Sequence, residues 1–382
     1  MAAPELTPAT RTRPPKAARS AHSAALDGLR GLAVLGVVAF HVGVLPFGWL
    51  GVPVFFVLSG HFITRVLLER RSSGRAAMLR DFARNRALRL APLYLLACLA
   101  LTVLAVTGGG PRQLAGDLPY LWTWTYDLHP LVAGFVDNNL YDHLWSLAVE
   151  VQLYLVWAGL ALWLSRRWFV RVVLALAVGG PVVRLLVWVG LLLAGYPHDR
   201  LAAVTYELPT TYLDAFAIGA VTAIPEIRAR LWPARRSLAI TGGAVLVVVC
   251  GEVGLAAVRH GQVLTDLGFP IGCPYQLGWV WEYSLIAVFA GALVLAAARD
   301  GRVAGVLSRP MLARAGLLSY GIYVLHRPLV ELADRMLPAR PGWPELVAAT
   351  VVVAGASTLC AAISHRWLER PFIARKRNAL TP

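Results

Sequence analysis

The chain has 382 residues, of which 58% are hydrophobic and 15% charged, and its formal net charge at pH 7 is +15. Soluble domains carry roughly 25% charged residues, so this composition excludes an ordinary soluble protein and predicts a polytopic membrane protein. The positive charge does not indicate nucleic-acid binding, because the basic residues lie in short clusters between apolar runs. We expect the lipid bilayer as a partner, and no nucleic acid.

Apolar windows predict an all-α bundle of ten transmembrane helices, since about 20 apolar residues cross a bilayer. Their approximate ranges are 29–47, 49–69, 88–107, 144–164, 172–194, 206–224, 238–258, 279–298, 312–333 and 345–365. The sixth window is the weakest, because Pro209 shortens its apolar stretch to about 13 residues. A re-entrant segment is the alternative there.

The distribution of Lys and Arg predicts the orientation of the bundle. With ten crossings and a cytoplasmic amino terminus, 27 of the 36 Lys and Arg residues fall in cytoplasmic segments and 5 in external loops. The positive-inside rule expects this bias, and omitting the sixth crossing would place the later basic clusters outside. We therefore expect ten helices with both termini cytoplasmic, in the plasma membrane.

The same pattern predicts one folded domain. Residues 1–24 are predicted to form a disordered cytoplasmic tail, 25–372 the membrane domain, and 373–382 a basic cytoplasmic tail. No signal-peptide pattern precedes the first helix, which is expected to serve as an uncleaved targeting signal. No Cys-x-x-Cys pair indicates a zinc or redox site, and no metal is expected.

The first helix carries two polar residues that the lipid would disfavour. Arg30 and His41 are eleven residues apart, so they differ by about 20° around a helix and lie roughly 16 Å apart along it. They share one face. Ionisable residues within a membrane span usually face a polar interior or an aqueous cavity, so this spacing predicts a cavity along the first helix.

Titratable groups from other helices fall at the depth of His41 under this orientation. Glu150 lies in the outer half of the fourth helix with Ser146 on its face, and His326 lies in the outer half of the ninth with Tyr323 beside it. We predict His41, Glu150, His326 and Tyr323 as catalytic residues, although a structural role for His326 stays open. Three carboxylates nearer the interface are expected to be structural: Asp214, Glu252 and Glu282.

Basic residues gather at the opposite, inner level. Arg86 and Arg89 lie three positions apart where the third window begins, at the level of Arg30. The positive-inside rule alone accounts for several such residues. Arginine also binds phosphate bidentately, so we predict Arg30, Arg86 and Arg89 as the site for an anionic cosubstrate. The external segment 108–143 is rich in aromatic and acidic residues, which we expect to anchor the helices rather than hold a sugar.

Six motifs in order give the chain a resemblance to a known family. They are Leu26-Asp27-Gly28-Leu29-Arg30-Gly31 with His41, the run 51–60, Arg86 to Arg89 with Pro92-Leu93-Tyr94, the run 144–150, the run 319–326, and Glu369-Arg370-Pro371. Together they resemble the acyltransferase-3 family of integral membrane acyltransferases over about residues 26 to 372. The chain departs from the family pattern at Pro53, His61 and Tyr212, where an Asp, an aromatic residue and an Arg are usual.

The resemblance implies a membrane O-acyltransferase. It implies transfer of an acyl group, commonly acetyl, from acyl-CoA as cosubstrate to a hydroxyl of a cell-surface glycan or a macrolide-like small molecule. In the predicted reaction Arg30, Arg86 and Arg89 bind the coenzyme phosphates, and His41 accepts the proton of the attacking hydroxyl. Glu150 or another carboxylate is expected to orient His41. Tyr323, His326 and Ser146 are the alternative hydrogen-bond donors to the oxyanion.

A different class of function is the alternative. A membrane transporter would use the outer His and Glu layer as a proton relay. Paired inverted repeats with interrupted helices would favour that class, and the sequence shows no internal repeat. A row of inner arginines suits an anionic coenzyme better than a proton path. Binding of CoA discriminates between the two.

Overall fold

The computed structural model describes residues 16–70, 74–133, 138, 140–197, 200–231, 233–260, 278–299 and 301–372. Within these ranges all regular structure is helical, which confirms the all-α prediction. The α-helices are α1 Lys16–His41, α2 Gly51–Arg70, α3 Arg75–Val106, α4 Leu114–Trp122, α5 His129–Ala133, α6 Trp145–Trp163, α7 Arg166–Leu193, α8 Leu201–Glu207, α9 Leu213–Ala223, α10 Pro225–Arg228, α11 Ala234–His260, α12 Trp279–Arg299, α13 Gly301–Leu307, α14 Pro310–Leu317, α15 Ser319–Asp334 and α16 Trp343–Ser364. Short 3₁₀ turns at Gly48–Leu50, Tyr126–Leu128, Asp142–Leu144 and Pro209–Tyr212 and a π-helical turn at His365–Glu369 complete them.

The two predicted tails fall largely outside this description. Residues 1–15 and 373–382 are not among the described residues. The first helix begins at Lys16, inside the range predicted as the amino-terminal tail. The assignment of both tails to the cytoplasm stays a prediction.

Eight helices in the described part of the chain are long and apolar enough to cross a bilayer, and they correspond to eight of the ten predicted windows. The sixth window is broken by Pro209 into α8 and α9. Leu208, the residue before this proline, is extended, because the proline ring disfavours a helical conformation there. The ninth window is divided at Leu318 into α14 and α15. A polytopic helical membrane protein is confirmed, and the count of ten crossings stays a prediction.

Glycines allow the central helices to approach closely. The most extensive helix pairs among the described elements are α1 with α14 and α2 with α9. A Cβ atom at Gly316 would lie 1.6 Å from the backbone oxygen of Asp27, and a Cβ atom at Gly28 would lie 1.7 Å from that of Leu307. Small residues at membrane helix interfaces bring backbones into contact in this way. The glycines of the first motif thus fix α1, and with it Arg30, against α13 and α14.

Replacing Gly316 with leucine is expected to destabilise the protein. The new side chain would collide with a backbone oxygen of α1, and overpacking of this kind typically costs about 1–3 kcal/mol even where flexible side chains can yield. Thermal unfolding in detergent measures the effect. Gly355→Leu is the matched control, because nothing lies within 4 Å of a Cβ atom at that exposed position. Equal melting temperatures for the two variants would contradict this account of α1 packing.

The centre of the bundle is formed by helices with many buried residues. At least half of the apolar windows of α1, α2, α6 and α12 is buried, and α9 is almost entirely buried between α2, α7 and α12. By contrast, less than a fifth of the windows of α7, α11 and α16 is buried. Exposed apolar helices of a membrane protein face the acyl chains of the lipid. The buried polar residues of α2 and α6, Ser59, His61, Thr64 and Ser146, therefore face the interior of the bundle.

Candidate active site

A pocket of about 630 Å³ opens between α1, α2, α3, α6 and α15. All three arginines predicted to bind an anion line it, Arg30 from α1 and Arg86 and Arg89 from α3. The helix α3 begins at Arg75, thirteen residues before the predicted apolar window, so Arg86 and Arg89 project from a continuous helix. We call this cavity the arginine pocket.

Aromatic rings hold two of these arginines in place. The guanidinium carbon of Arg30 lies 4.4 Å from the ring centroid of Phe62, and a guanidinium nitrogen lies 3.5 Å from the carboxylate of Asp27. The guanidinium of Arg86 lies 5.3 Å from the ring centroid of Tyr154. Stacked guanidinium groups lose little freedom on binding a ligand and keep their hydrogen-bond donors at the edge of the plane. The pocket thus presents positive charge in a fixed arrangement.

The structure places Glu150 in the arginine pocket. Its carboxylate accepts hydrogen bonds from the hydroxyl groups of Ser59 and Tyr154, and all three residues line this pocket. His41 lines a different cavity. The sequence-based expectation that Glu150 orients His41 is therefore wrong, because residues at one depth of a bundle can face different cavities.

The second cavity, of about 490 Å³, lies at the end of α1 that carries His41. We call it the histidine pocket. Its polar lining comprises His41, Asp142, His143, Glu207 and Tyr323, and its remaining walls are apolar and aromatic: Val37, Phe40, Trp49, Val52, Trp145 and Tyr206. Under the predicted orientation this pocket lies toward the outer surface and the arginine pocket toward the cytoplasm.

The hydrogen bonds of His326 define the protonation of His41. Nδ1 of His326 lies 2.6 Å from the backbone oxygen of Tyr323, which only accepts, so this nitrogen carries a proton. Nε2 of a neutral His326 then has a lone pair, and it lies 3.0 Å from Nδ1 of His41. Nδ1 of His41 consequently donates, and its Nε2 keeps a free lone pair. The network assigns this tautomer, in which His326 positions His41.

A third histidine, His143, completes the cluster and was missed in the sequence. Its ring centroid lies 4.9 Å from that of His326 and 5.3 Å from that of Tyr323. It belongs to the short turn Asp142–Leu144, just before α6. No group of three or more His, Cys, Asp or Glu side chains in the described residues is arranged to hold a metal ion.

A hydroxyl network separates the two pockets. The hydroxyl groups of Tyr323 and Ser146 lie 2.6 Å apart, and the backbone oxygen of His143 lies 3.1 and 3.0 Å from them. One hydroxyl therefore donates to the other, and the second donates to this backbone oxygen. Tyr323 and Val52 line both pockets. Sequence spacing predicted a single cavity along α1, and the structure shows two that meet at this partition. Arg30 and His41 lie on opposite sides of it.

The amino-acid sequence matches a known protein family. A family model described as an acyltransferase domain matches residues 23–365. The chain belongs to the acyltransferase-3 family.

Named relatives of this chain align with most of its length. It is 28% identical to the peptidoglycan O-acetyltransferase OatA of Listeria monocytogenes, over 91% of this chain and 55% of that protein. It is 27% identical to the O-acetyltransferase OatA of Staphylococcus aureus, over 91% of this chain and 56% of that protein. It is 26% identical to the putative peptidoglycan O-acetyltransferase YrhL of Bacillus subtilis, over 91% of this chain and 54% of that protein. The chain thus spans about half the length of the curated relatives it matches. No solved structure matches it.

One departure of this chain from the family pattern has a structural explanation. Tyr212 stands where an arginine is usual, and Asp214 instead pairs with Arg184 of α7, at 3.0 Å. Arg184 also donates to the backbone oxygens of Thr211 and Val280. This ion pair lines neither pocket, in agreement with the structural role expected for Asp214.

The described part of the aromatic segment 108–143 packs against the helical bundle. The rings of Trp124 and Tyr94 stack with centroids 3.6 Å apart, and Trp122 donates to Thr102. Asp127 accepts a hydrogen bond from Gln152 of α6, and burial raises the pKa of its carboxyl group to about 7. These contacts support the anchoring role expected for the segment.

Proposed function

We propose that this acyltransferase transfers an acetyl group from acyl-CoA to a hydroxyl group of a cell-surface carbohydrate, at the plasma membrane. The observation that carries the proposal is the pair of adjoining pockets, one lined by three arginines and the other by His41 with its lone pair free. A macrolide-like small molecule is the alternative acceptor. A membrane transporter is the alternative function.

The arginine pocket supports the choice of an anionic donor. Phosphate groups bind arginine through charge-assisted hydrogen bonds, and Arg30, Arg86 and Arg89 come from two helices to one cavity. Arg30 and His41 are roughly 16 Å apart along α1, a distance that suits a long flexible arm between phosphate and thioester. Glu150, held by Ser59 and Tyr154, belongs to this donor pocket in our proposal.

The histidine pocket supports the choice of His41 as the general base. Nε2 of His41 accepts the proton of the acceptor hydroxyl while its oxygen attacks the thioester carbonyl carbon. The carbon–sulfur bond then breaks, and the proton passes to the sulfur, which gives the ester and free CoA. His326 holds His41 in the required tautomer through Nδ1.

Tyr323 is the proposed donor to the oxyanion. Its hydroxyl group lies at the junction of the two pockets, where a thioester bound from one side meets a hydroxyl bound from the other. Nε2 of His326 accepts from His41 in the assigned tautomer, so His326 is not available as a donor. Ser146, which shares the same carbonyl acceptor, is the second candidate.

The printed names of the relatives support a glycan as acceptor. Two of them are described as peptidoglycan O-acetyltransferases, and peptidoglycan is a carbohydrate polymer outside the membrane. An acceptor pocket at the outer end of α1 suits such a substrate under the predicted orientation, with both termini in the cytoplasm.

Binding of CoA tests the donor side. Arg89→Gln is expected to weaken CoA binding roughly tenfold or more, because a charge-assisted hydrogen bond contributes about 1.5–3 kcal/mol. Calorimetry on the purified protein measures the affinities for CoA and for pantetheine, which lacks the phosphate groups. Only the affinity for CoA should fall. Arg75→Gln is the control, because Arg75 is exposed on the same helix and does not line the pocket.

The reaction itself is tested with radiolabelled acetyl-CoA, membranes, and glycan and macrolide acceptors. We expect the label to appear in the glycan as an alkali-labile ester. If wild-type protein neither binds CoA nor is stabilised by it against heating, the acyltransferase proposal fails for this chain and the transporter alternative gains.

A further inference from the structure

One carboxylate in the histidine pocket has no role in the reaction described above. Glu207 ends α8 and lines the pocket, yet it is only 5% exposed. None of the described residues forms a hydrogen bond or an ion pair with its side chain. Asp142, the other carboxylate of this pocket, is held by Arg327 at 2.5 Å. Because a buried carboxylate is costly and no described residue pairs with this one, Glu207 indicates a ligand in the cavity.

Aromatic rings stand around this carboxylate. The ring centroid of Tyr206 lies 4.9 Å from that of Trp145 and 6.3 Å from that of Trp49, both edge to face. All three rings line the pocket with Glu207. Aromatic walls with a few placed polar groups are typical of small-molecule sites. This combination suits a sugar, whose C–H faces pack on aromatic rings and whose hydroxyl groups donate to carboxylates.

We propose that Glu207, with the rings of Trp49, Trp145 and Tyr206, forms the subsite that binds the ring of the sugar acceptor. Glu207 accepts hydrogen bonds from the hydroxyl or amide N–H groups of that ring. His41 lines the same cavity, so a sugar bound here presents a neighbouring hydroxyl to Nε2 of His41. The inference rests on the proposed function and adds to it the residues that select the acceptor.

The test compares two acceptors with the full-length protein in detergent. A soluble N-acetylglucosamine oligosaccharide needs the subsite, whereas glycerol at high concentration supplies a hydroxyl group without a ring. Glu207→Gln is expected to raise KM for the oligosaccharide about tenfold and to leave KM for acetyl-CoA and the rate with glycerol nearly unchanged. Glu331→Gln is the matched control, because Glu331 of α15 pairs with Arg335, which follows that helix, and does not line the pocket.

The outcomes separate this proposal from the proposed function. If wild-type protein acetylates neither acceptor, the proposed function fails. If wild-type protein is active and folded Glu207→Gln has the wild-type KM for the oligosaccharide, the subsite is wrong while the reaction stands. Should Glu207→Gln not fold, Glu207→Asp, which keeps the charge but withdraws it by one methylene, is measured in the same way, and an unchanged KM again overturns the subsite.

Discussion

Replacing His41 with alanine is expected to lower the rate of acetyl transfer about 10²–10⁴-fold and to leave the protein folded. This range is the usual contribution of a general base, and in the proposed reaction His41 supplies the free nitrogen in the histidine pocket. Turnover of radiolabelled acetyl-CoA with a glycan acceptor measures the loss. CoA affinity should stay at the wild-type value, because the arginine pocket lies on the other side of the partition.

The neighbouring histidine provides the control for this prediction. In His326→Gln an amide oxygen can still accept from Nδ1 of His41, whereas His326→Leu offers no acceptor. We therefore expect His326→Gln to retain more activity than His326→Leu, at similar thermal stability. Substantial turnover by a well-folded His41→Ala protein would remove His41 from the role of base.

Replacing Arg184 with leucine is expected to cost about 3–5 kcal/mol of stability, because it leaves the buried carboxylate of Asp214 without its charge partner. Arg184 and Asp214 have side-chain exposures of 0% and 1%. Arg184 joins α7, the turn before α9, and α12 through Asp214 and the backbone oxygens of Thr211 and Val280. The yield of folded protein and its thermal unfolding in detergent are the measurements.

A double variant distinguishes charge burial from simple loss of packing. Arg184→Leu combined with Asp214→Asn removes both charges, and a large part of the lost stability should return, since the main penalty is the unpaired charge. If the double variant is as unstable as the sum of the two single variants, the ion pair is not what holds these helices together.

The sequence predicted residues that line each pocket, but it did not predict that there are two separate pockets. Helical periodicity placed Arg30 and His41 on one face of α1, and each lines a pocket. Depth along a span is readable from sequence, but rotation about the helix axis depends on packing. The sequence predicted Glu150 beside His41, whereas the structure places it in the arginine pocket.

His143 and Glu207 could not be found from the sequence. His143 lies in a short turn outside the apolar windows, where a histidine carries no membrane cost and so gives no signal. Glu207 lies at the edge of the weakest window, beside the proline that breaks it. Both become significant only through contacts between distant segments, as between His143 and His326.

The broken windows show the same limit for the fold. Eight windows correspond to continuous helices that are long and apolar enough to cross a bilayer. The sixth and ninth windows contain shorter helices, which bring Glu207 to the histidine pocket and His326 into contact with His41. Interrupted helices at a membrane-embedded site are tolerated where protein surrounds them.

The partition of Tyr323, Ser146 and Val52 bears on the permeability of the membrane. In the proposed reaction, only the two-carbon acetyl unit has to pass this point, while the charged coenzyme stays among the arginines. The protein would then export an activated group without opening a conduit for ions or nucleotides. Cells expressing it should keep their proton gradient during turnover, unlike cells expressing a channel.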